Sequence, residues 1–187
     1  MKTQRGFSMI EVVITIAILG ILLAAAMPSV SDWIRNTRIR NTAESILNGL
    51  QLARMEAVRT NKATGFYLVS DLSASCALSS TSGSWVVSVG SPAGACATAT
   101  LKGLDSDGGG ATVGAKQSDG STAATSVTFS GLGMLTLSSS ATAIRKIAVT
   151  SADGTTFVRR VEISPIGLAR LCDPLISTSG DTRRCAQ

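Results

Sequence analysis

The stretch GFSMIEVVITIAILGILLAAAM, residues 6–27, decides the fold of this chain of 187 residues. From Phe7 to Met27 it is an apolar run that would rise about 31 Å as a helix, close to the hydrocarbon thickness of a bilayer. Glu11 interrupts the run, and an ionised carboxylate in lipid costs roughly 2.5 to 3.5 kcal/mol. A plain membrane anchor gains nothing from this charge, so Glu11 indicates a further role for the segment.

A short basic leader, Met1 to Gly6, precedes the apolar run, and Phe7 and Glu11 lie at the start of that run. This arrangement resembles the type IV prepilin motif. The resemblance implies that a prepilin peptidase and N-methyltransferase cuts after Gly6 and methylates the new terminal amine of Phe7. That amine would lie on the same helical face as Glu11 and would be mostly protonated at neutral pH. Glu11 can pair with the amine of its own chain or, as the resemblance implies, with that of a neighbouring pilin subunit.

Two other interpretations compete for the N-terminal segment. A secretory signal peptide would use Lys2 and Arg5 as its basic region and residues 24–26, three alanines, as its cleavage site. Against it, the apolar run exceeds the usual length of about 7 to 15 residues and contains a charge. A simple membrane anchor fits the length, but basic residues flank the run on both sides, so the positive-inside rule decides little. Orientation in the inner membrane therefore rests on the prepilin resemblance and the cysteines.

The helix is predicted to continue beyond the apolar run. Pro28 removes one backbone donor and therefore predicts a kink. Apolar residues resume at helical spacing after it, so the helix is predicted to continue beyond the kink. Polar residues occupy much of the remaining circumference, so residues 28–60 predict an amphipathic continuation whose apolar stripe packs on the chain's own sheet. The stripe consists of Ala43, Ile46, Leu47, Leu50, Ala53 and Ala57.

After Asn61 the composition changes to Ser, Thr, Gly and Val, and the apolar period shortens toward two. This pattern predicts an antiparallel meander, with Asp153 and Gly154 in a hairpin turn between the last two strands. Residues 90–125 are rich in small residues and predict a long surface excursion that contributes no core. The predicted strands are Gly65–Val69, Trp85–Val89, Ser126–Phe129, Met134–Leu137, Ile144–Thr150 and Thr156–Ile163.

Four cysteines lie in the part of the chain that is predicted to be exported: Cys76, Cys96, Cys172 and Cys185. An even number of cysteines in an oxidising compartment favours disulfides. Sequence proximity favours Cys76 with Cys96 and Cys172 with Cys185, although two other pairings are open. A zinc site is the rival interpretation, but the chain has no histidine and no CxxC motif, so no metal is predicted.

No enzyme motif is recognised in the sequence. The absence of histidine excludes the common catalytic triads, and neither a Walker A loop nor a dinucleotide fingerprint occurs. The string DSDGGG at residues 105–110 resembles the start of an EF-hand loop. Gly109 and Lys116, however, stand where that loop requires oxygen ligands, which favours a solvated turn over a calcium site. The chain is therefore predicted to be a substrate of enzymes and not an enzyme itself, and to need no cofactor.

The distribution of charge is a second functional indication. The formal net charge of +5 falls to +3 when the leader, with its two basic residues, is removed. From Arg145 onward there are seven basic residues against four acidic ones. Arginine suits phosphate recognition, and a basic patch attracts DNA in a salt-dependent way. Aromatic residues make up 4% of the chain, which gives little support to stacking of bases.

Two further segments carry a family resemblance. Residues 50–58, LQLARMEAV, resemble the helix end of the GspH/FimT family of minor pilins and pseudopilins, and residues 163–185 resemble the tail of its FimT and FimU members. The resemblance implies an α+β fold of the type IV pilin kind, in which a long N-terminal helix packs on an antiparallel β-sheet domain. The implied organisation is a leader (1–6), a transmembrane and assembly helix (7–27), its amphipathic continuation (28–60) and a periplasmic β-rich domain (61–187).

Some members of this family bind DNA through a GRxR motif in the tail, and residues 167–170 fall at that position. Arg170 matches the second arginine of the motif, whereas Leu168 replaces the first. Arg170, Arg183 and Arg184 are therefore candidate DNA-binding residues, with a solvated basic surface as the alternative.

The resemblance as a whole implies a minor pilin of the FimT/FimU type, a structural subunit in pilus assembly or priming. Its expected location is the inner membrane, crossed once, with the C-terminal domain in the periplasm before incorporation into a pilus. Its expected partners are the prepilin peptidase, other pilin subunits and the membrane. The alternatives are a DNA-binding pilin for natural transformation, a GspH-like minor pseudopilin of type II secretion, and a membrane-bound binding module that does not assemble.

Overall fold

The computed structural model describes residues 7–99, 101–103, 111–136, 142–151 and 157–186. The chain divides into two compact units, Met1–Arg35 and Asn36–Gln187. One long helix, α1, runs from Met9 to Thr60 and contributes residues to both units.

In the first unit, α1 exposes apolar side chains on all sides. The backbone N–H groups of Glu11 and Val12 donate to the Ser8 carbonyl at 3.1 and 3.2 Å and begin the helix. The large apolar side chains from Ile10 to Leu23 are exposed. A helix that is apolar all round requires an apolar environment, which its own unit does not supply within the described residues.

The length of the apolar helix bears on membrane insertion. Among the described residues no single helix is long and apolar enough to cross a membrane. The bent pair Met9–Ala24 and Ser29–Thr60 meets that requirement together, by length and composition alone, with an angle of 41° at the break. The membrane span at 7–27 and the kink at Pro28 stay predictions.

The second unit contains the rest of α1, and here the predicted apolar stripe is confirmed. Its side chains are at most 1% exposed, apart from Leu47, which is half-buried. The helix ends at Thr60, and Asn61 takes a φ of 53°, a left-handed conformation that asparagine tolerates at helix ends. The buried apolar side chains extend the stripe by one turn toward the N-terminus and are Ile39, Ala43, Ile46, Leu50, Ala53 and Ala57.

In the described part of the chain, eight strands form two antiparallel four-stranded sheets. The first sheet has the order β3-β2-β1-β5 and the second the order β4-β6-β7-β8. The α+β class is therefore confirmed. The strands are β1 Thr64–Leu68, β2 Trp85–Ser88, β3 Leu101–Gly103, β4 Ala111–Lys116, β5 Ser126–Phe129, β6 Lys146–Ser151, β7 Val158–Ile163 and β8 Ala169–Cys172.

The prediction of a single meander is wrong. After β3 the chain leaves the first sheet, places β4 beside β6 in the second, and returns with β5 to pair with β1. Register and pairing depend on which apolar faces meet across the core, and this exchange of strands between sheets leaves no local pattern in the sequence.

The prediction that residues 90–125 contribute no core is also wrong. This tract contains β3, β4 and a short 3-10 helix, Cys96–Thr98. Along β4 the alternate side chains Ala111, Val113 and Ala115 are at most 8% exposed and belong to the main core. Small side chains suffice there because a close-packed core pairs small residues with large ones. The EF-hand-like string at 105–110 lies outside the described residues.

Differences from the predicted strands lie mainly at turns. Over its described residues, up to 136, the predicted strand at 134–137 is replaced by one isolated bridge between Phe129 and Leu135. The chain turns tightly before it, since the Ser130 N–H donates to the Met134 carbonyl at 2.8 Å. Strand β8 was not predicted, because it follows a turn made by Gly167 at a φ of 81°. The predicted hairpin residues Asp153 and Gly154 lie outside the described residues.

Helix α1 packs closely on the first sheet at Gly49. A Cβ atom built at Gly49 would lie 2.7 Å from Cδ2 of Trp85 and 2.8 Å from Cε2 of Phe66. The two aromatic rings have centroids 5.8 Å apart, and the Trp85 indole N–H donates to Oγ of Ser45 at 3.1 Å. The missing side chain at Gly49 therefore lets the helix approach the sheet and leaves room for the Trp85 ring.

Substituting Gly49→Val is expected to lower the free energy of unfolding by about 2 kcal/mol, because overpacking a core costs roughly 1 to 3 kcal/mol. Denaturant unfolding of the full chain in detergent, followed by tryptophan fluorescence, measures this loss. The matched control is Gly20→Val in the same helix, where an added Cβ meets nothing within 4 Å. Equal stability of the two variants would contradict the packing role of Gly49.

Candidate functional site

The residues predicted for processing and assembly lie at the start of α1. Gly6 falls outside the described residues, whereas Phe7 is 83% exposed and Glu11 is exposed in the first turn of the helix. Among the described residues, the Glu11 carboxylate has no ion-pair partner. It stands among exposed apolar side chains, at the helix end where the backbone dipole favours negative charge. In this arrangement the Glu11 carboxylate can form an ion pair with an amine from outside the helix.

The first disulfide joins Cys76 to Cys96, the pairing that sequence proximity favours. The two cysteines are at most 3% exposed and pack with Tyr67, Val69 and Val86. This small apolar cluster is distinct from the main core and lies on the opposite face of β1 and β2. The disulfide thus holds the loops before and after β2 onto the outer side of the first sheet.

The second disulfide joins Cys172 at the end of β8 to Cys185 near the C-terminus. The enclosed tail is also held by its backbone, since the Asp173 N–H donates to the Arg183 carbonyl at 2.7 Å. One residue after Cys185, the Ala186 N–H donates to Oε2 of Glu162 on β7 at 2.9 Å. The tail is therefore folded back over β7 and β8.

Glu162 is the charged centre of this region, although the sequence analysis did not single it out. It is 8% exposed, and its Oε2 also accepts a hydrogen bond from Nη2 of Arg170 at 2.9 Å. Its other oxygen, Oε1, lies 3.9 Å from Nη1 of Arg160 and has no hydrogen-bond partner among the described residues. The sequence signal that could have identified Glu162 is its position as an acidic residue between Val161 and Ile163 in a predicted strand.

The arginines predicted for DNA binding are partly engaged by carboxylates. Arg170 pairs with Glu162, and Nη2 of Arg183 pairs with Asp181 at 2.9 Å. Hydrogen bonds from Arg183 hold the pKa of Asp181 below its ordinary value, while Asp181 raises the pKa of Arg183. Arg184 is half-buried and has no ion pair within the described part of the chain. Engaged guanidinium groups offer less net charge to phosphates, so the geometry does not favour the DNA role.

One group of potential metal ligands occurs in this region. A carboxylate oxygen of Glu162 and the sulfur atoms of Cys172 and Cys185 lie within 4.8 Å of one another. Zinc is bound by cysteine thiolates, whereas these two sulfurs are joined to each other. As a disulfide, the two cysteines cross-link the tail to β8 and offer no thiolate to zinc.

The helix end at residues 50–58 anchors α1 to the β-rich part. Nε of Arg54 donates to the Gly133 carbonyl at 2.9 Å and thereby ties the helix to the turn before Leu135. On the exposed side, Arg59 pairs with Glu56 at 2.6 Å. The Arg54 contact fixes the turn against the helix, whereas the pair of Arg59 and Glu56 links successive turns of the helix itself.

Two family models match the chain. The model described as "Type II transport protein GspH" matches residues 42–167, about two thirds of the chain. The prokaryotic N-terminal methylation motif matches residues 1–27, which include Gly6, Phe7 and Glu11.

Several fimbrial proteins are similar to part of the chain. A fimbrial protein of Pseudomonas aeruginosa is 39% identical over 62 residues, which are 33% of this chain and 40% of that protein. The type IV major fimbrial protein FimA of Dichelobacter nodosus is 36% identical over 61 residues, 33% of this chain and 37% of that protein. A fimbrial protein of Moraxella nonliquefaciens is 37% identical over 65 residues, 35% of this chain and 39% of that protein. The chain thus spans about 40% of the length of these relatives.

The fold is similar to that of the type IV minor pilin FimU of Pseudomonas aeruginosa. Two crystal forms of FimU match with TM-scores of 0.51 and 0.54 at 22% sequence identity. The matches cover 71% and 72% of this chain and 90% and 88% of the FimU chains. The long helix with antiparallel sheets is therefore a pilin fold.

Proposed function

This chain belongs to the GspH family, and we propose that it is a minor pilin of a type IV pilus, a structural subunit used in assembly or priming. The observation that carries the proposal is the N-terminal methylation motif on residues 1–27, joined to an exposed apolar helix with a carboxylate in its first turn. Both features suit a subunit that leaves a membrane to pack against other helices.

In the proposed sequence of events, the chain first crosses the inner membrane once through its N-terminal helix, with the β-rich part in the periplasm. The prepilin peptidase then removes the leader after Gly6 and methylates Phe7. The new amine provides a positive charge for a Glu11 carboxylate, and an ion pair between subunits would fix the axial register of the helices. Pairing also removes the cost of leaving the carboxylate alone in an apolar surrounding. The partners are other pilin subunits.

A second candidate function, a minor pseudopilin of type II secretion, is favoured by the description of the matching family model. Both functions use the same helix chemistry, so the fold does not separate them. Deletion of the gene followed by parallel measurement of surface pili and of secreted proteins distinguishes the two. Loss of pili with intact secretion supports the minor pilin, and the reverse result supports the pseudopilin.

Processing gives the direct test of the proposal. When the full chain is produced in a host with a prepilin peptidase, its intact mass is expected to show loss of Met1–Gly6 and gain of one methyl group. The leader should remain in a host that lacks the peptidase. A mature chain that begins at Met27 would instead establish a secretory signal peptide and would contradict assembly through this helix.

A further inference from the structure

A row of charged residues crosses the outer face of the second sheet. The strand register aligns Lys116 on β4 with Lys146 on β6, Lys146 with Glu162 on β7, and Glu162 with Arg170 on β8. Side chains of one cross-strand row share a face of the sheet, and the adjacent row, which includes the buried Val161, faces the core. The outer row therefore holds three cations and one carboxylate.

A cavity of about 690 Å³ opens beside this row, between the tail and the turn that joins β7 to β8. Its lining includes the charged residues Arg145, Lys146, Glu162 and Arg170 and two large aliphatic side chains from the turn. These two, Ile166 and Leu168, are 52% and 50% exposed. We call this cavity the tail groove. It combines excess positive charge with apolar surface, which is unusual for a merely solvated face.

The carboxylate of Glu162 is not available to a ligand in the tail groove. Only about a tenth of its side chain is exposed, and its Oε2 already accepts hydrogen bonds from Arg170 and Ala186. Its Oε1 is buried, 3.9 Å from Nη1 of Arg160. Lys146 and Arg145, in contrast, have no ion pair within the described residues, so the tail groove keeps positive charge that no carboxylate of these residues balances.

We propose that the tail groove binds an extended acidic peptide segment of a partner protein, one that carries an aliphatic residue next to a carboxylate. The carboxylate pairs with Lys146 and Arg145, and the aliphatic side chain covers Ile166 and Leu168. A single stretch of peptide supplies both groups within a few ångströms.

A nucleic acid fits the tail groove less well. Its phosphates would meet the cations, but the sugar-phosphate backbone is polar and leaves Ile166 and Leu168 uncovered. The inference goes beyond the proposed function, because peptide binding by the single chain does not require processing or assembly. Either can fail while the other stands.

The test uses the full chain in detergent and a short fluorescent peptide that alternates aspartate and leucine and is blocked at both ends. Fluorescence anisotropy is expected to show binding that weakens as salt rises, because exposed ion pairs are screened. Two altered peptides should each bind about tenfold more weakly or not at all: one with asparagine for aspartate and one with serine for leucine.

Variants of the chain show where on its surface the peptide binds. Lys146→Glu and Leu168→Ser are each expected to weaken binding about tenfold. Their matched controls, Lys62→Glu and Leu132→Ser, change exposed residues that do not line the tail groove and should bind as the parent does. Near-ultraviolet circular dichroism checks the fold of each variant. If Lys146→Glu does not fold, Lys146→Gln, which removes the charge of this lining residue without reversing it, replaces it.

The outcomes separate the alternatives. Binding that is lost in both groove variants and kept in both controls supports the proposal. Absence of peptide binding at low salt overturns it, and so does binding that the groove variants leave unchanged. Duplex DNA that binds more tightly than the peptide, with loss in Lys146→Glu but not in Leu168→Ser, would replace the peptide with nucleic acid.

Discussion

Replacing Glu11 by alanine is expected to leave the chain in the membrane and to reduce its incorporation into filaments at least tenfold. Insertion should be unchanged or improved, because the substitution removes a charge that costs roughly 2.5 to 3.5 kcal/mol in lipid. Assembly should suffer because removing one partner of a buried ion pair costs about 3 to 5 kcal/mol, and each 1.4 kcal/mol is about a factor of ten. Membrane fractionation and quantitative immunoblotting of sheared filaments measure the two effects separately.

Two further variants show whether the charge of Glu11 is responsible. Glu11→Gln keeps the size of the side chain and removes the charge, so it should behave like Glu11→Ala. Glu11→Asp keeps the charge and should retain part of the assembly. The leader should still be removed in all three variants, because Gly6 and Phe7 are unchanged. Normal incorporation of Glu11→Gln would show that the carboxylate does not set the register of subunits.

The second large effect is expected at the C-terminal disulfide. Replacing both Cys172 and Cys185 by serine should lower the free energy of unfolding by about 3 kcal/mol, by the chain-entropy argument for a separation of 13 residues. The tail should also open locally, because its remaining attachments are a few hydrogen bonds, such as that from the Ala186 N–H to Glu162. Denaturant unfolding measures the stability, and hydrogen exchange by mass spectrometry measures the protection of residues 174–186.

The first disulfide provides the matched comparison. Replacing Cys76 and Cys96 by serine opens a loop of similar length, with a separation of 20 residues, and should cost a similar free energy. Protection of the tail, however, should remain. If tail exchange is the same in both double variants, hydrogen bonds alone hold the tail and the disulfide at Cys172 contributes only to global stability.

The cysteines illustrate how far proximity in sequence predicts structure. The structure joins each cysteine to its nearer neighbour in the sequence, because closing a shorter loop costs less chain entropy. What these bonds hold was not predictable. Cys76 and Cys96 pack in a separate apolar cluster on the first sheet, and Cys185 brings the tail to a buried carboxylate.

The tail arginines show the opposite limit. A match to a family motif placed Arg170 among candidate DNA ligands, whereas in the fold its guanidinium donates to Glu162. The two residues are eight positions apart and meet because the turn at Gly167 folds β8 back on β7. A count of charges along the chain cannot register this pairing, since neutralisation depends on which side chains share a face.

By itself the sequence determined the features that depend on near neighbours along the chain. These are the N-terminal motif around Glu11, the long helix with its apolar stripe, and the α+β class, because motif spacing and helical period are local properties. Only the tertiary structure decided the two-sheet topology, the burial of small side chains on β4, the close approach at Gly49 and the tail groove around Glu162. Each of these depends on a residue brought from elsewhere in the chain, and packing, burial and charge pairing are properties of such contacts.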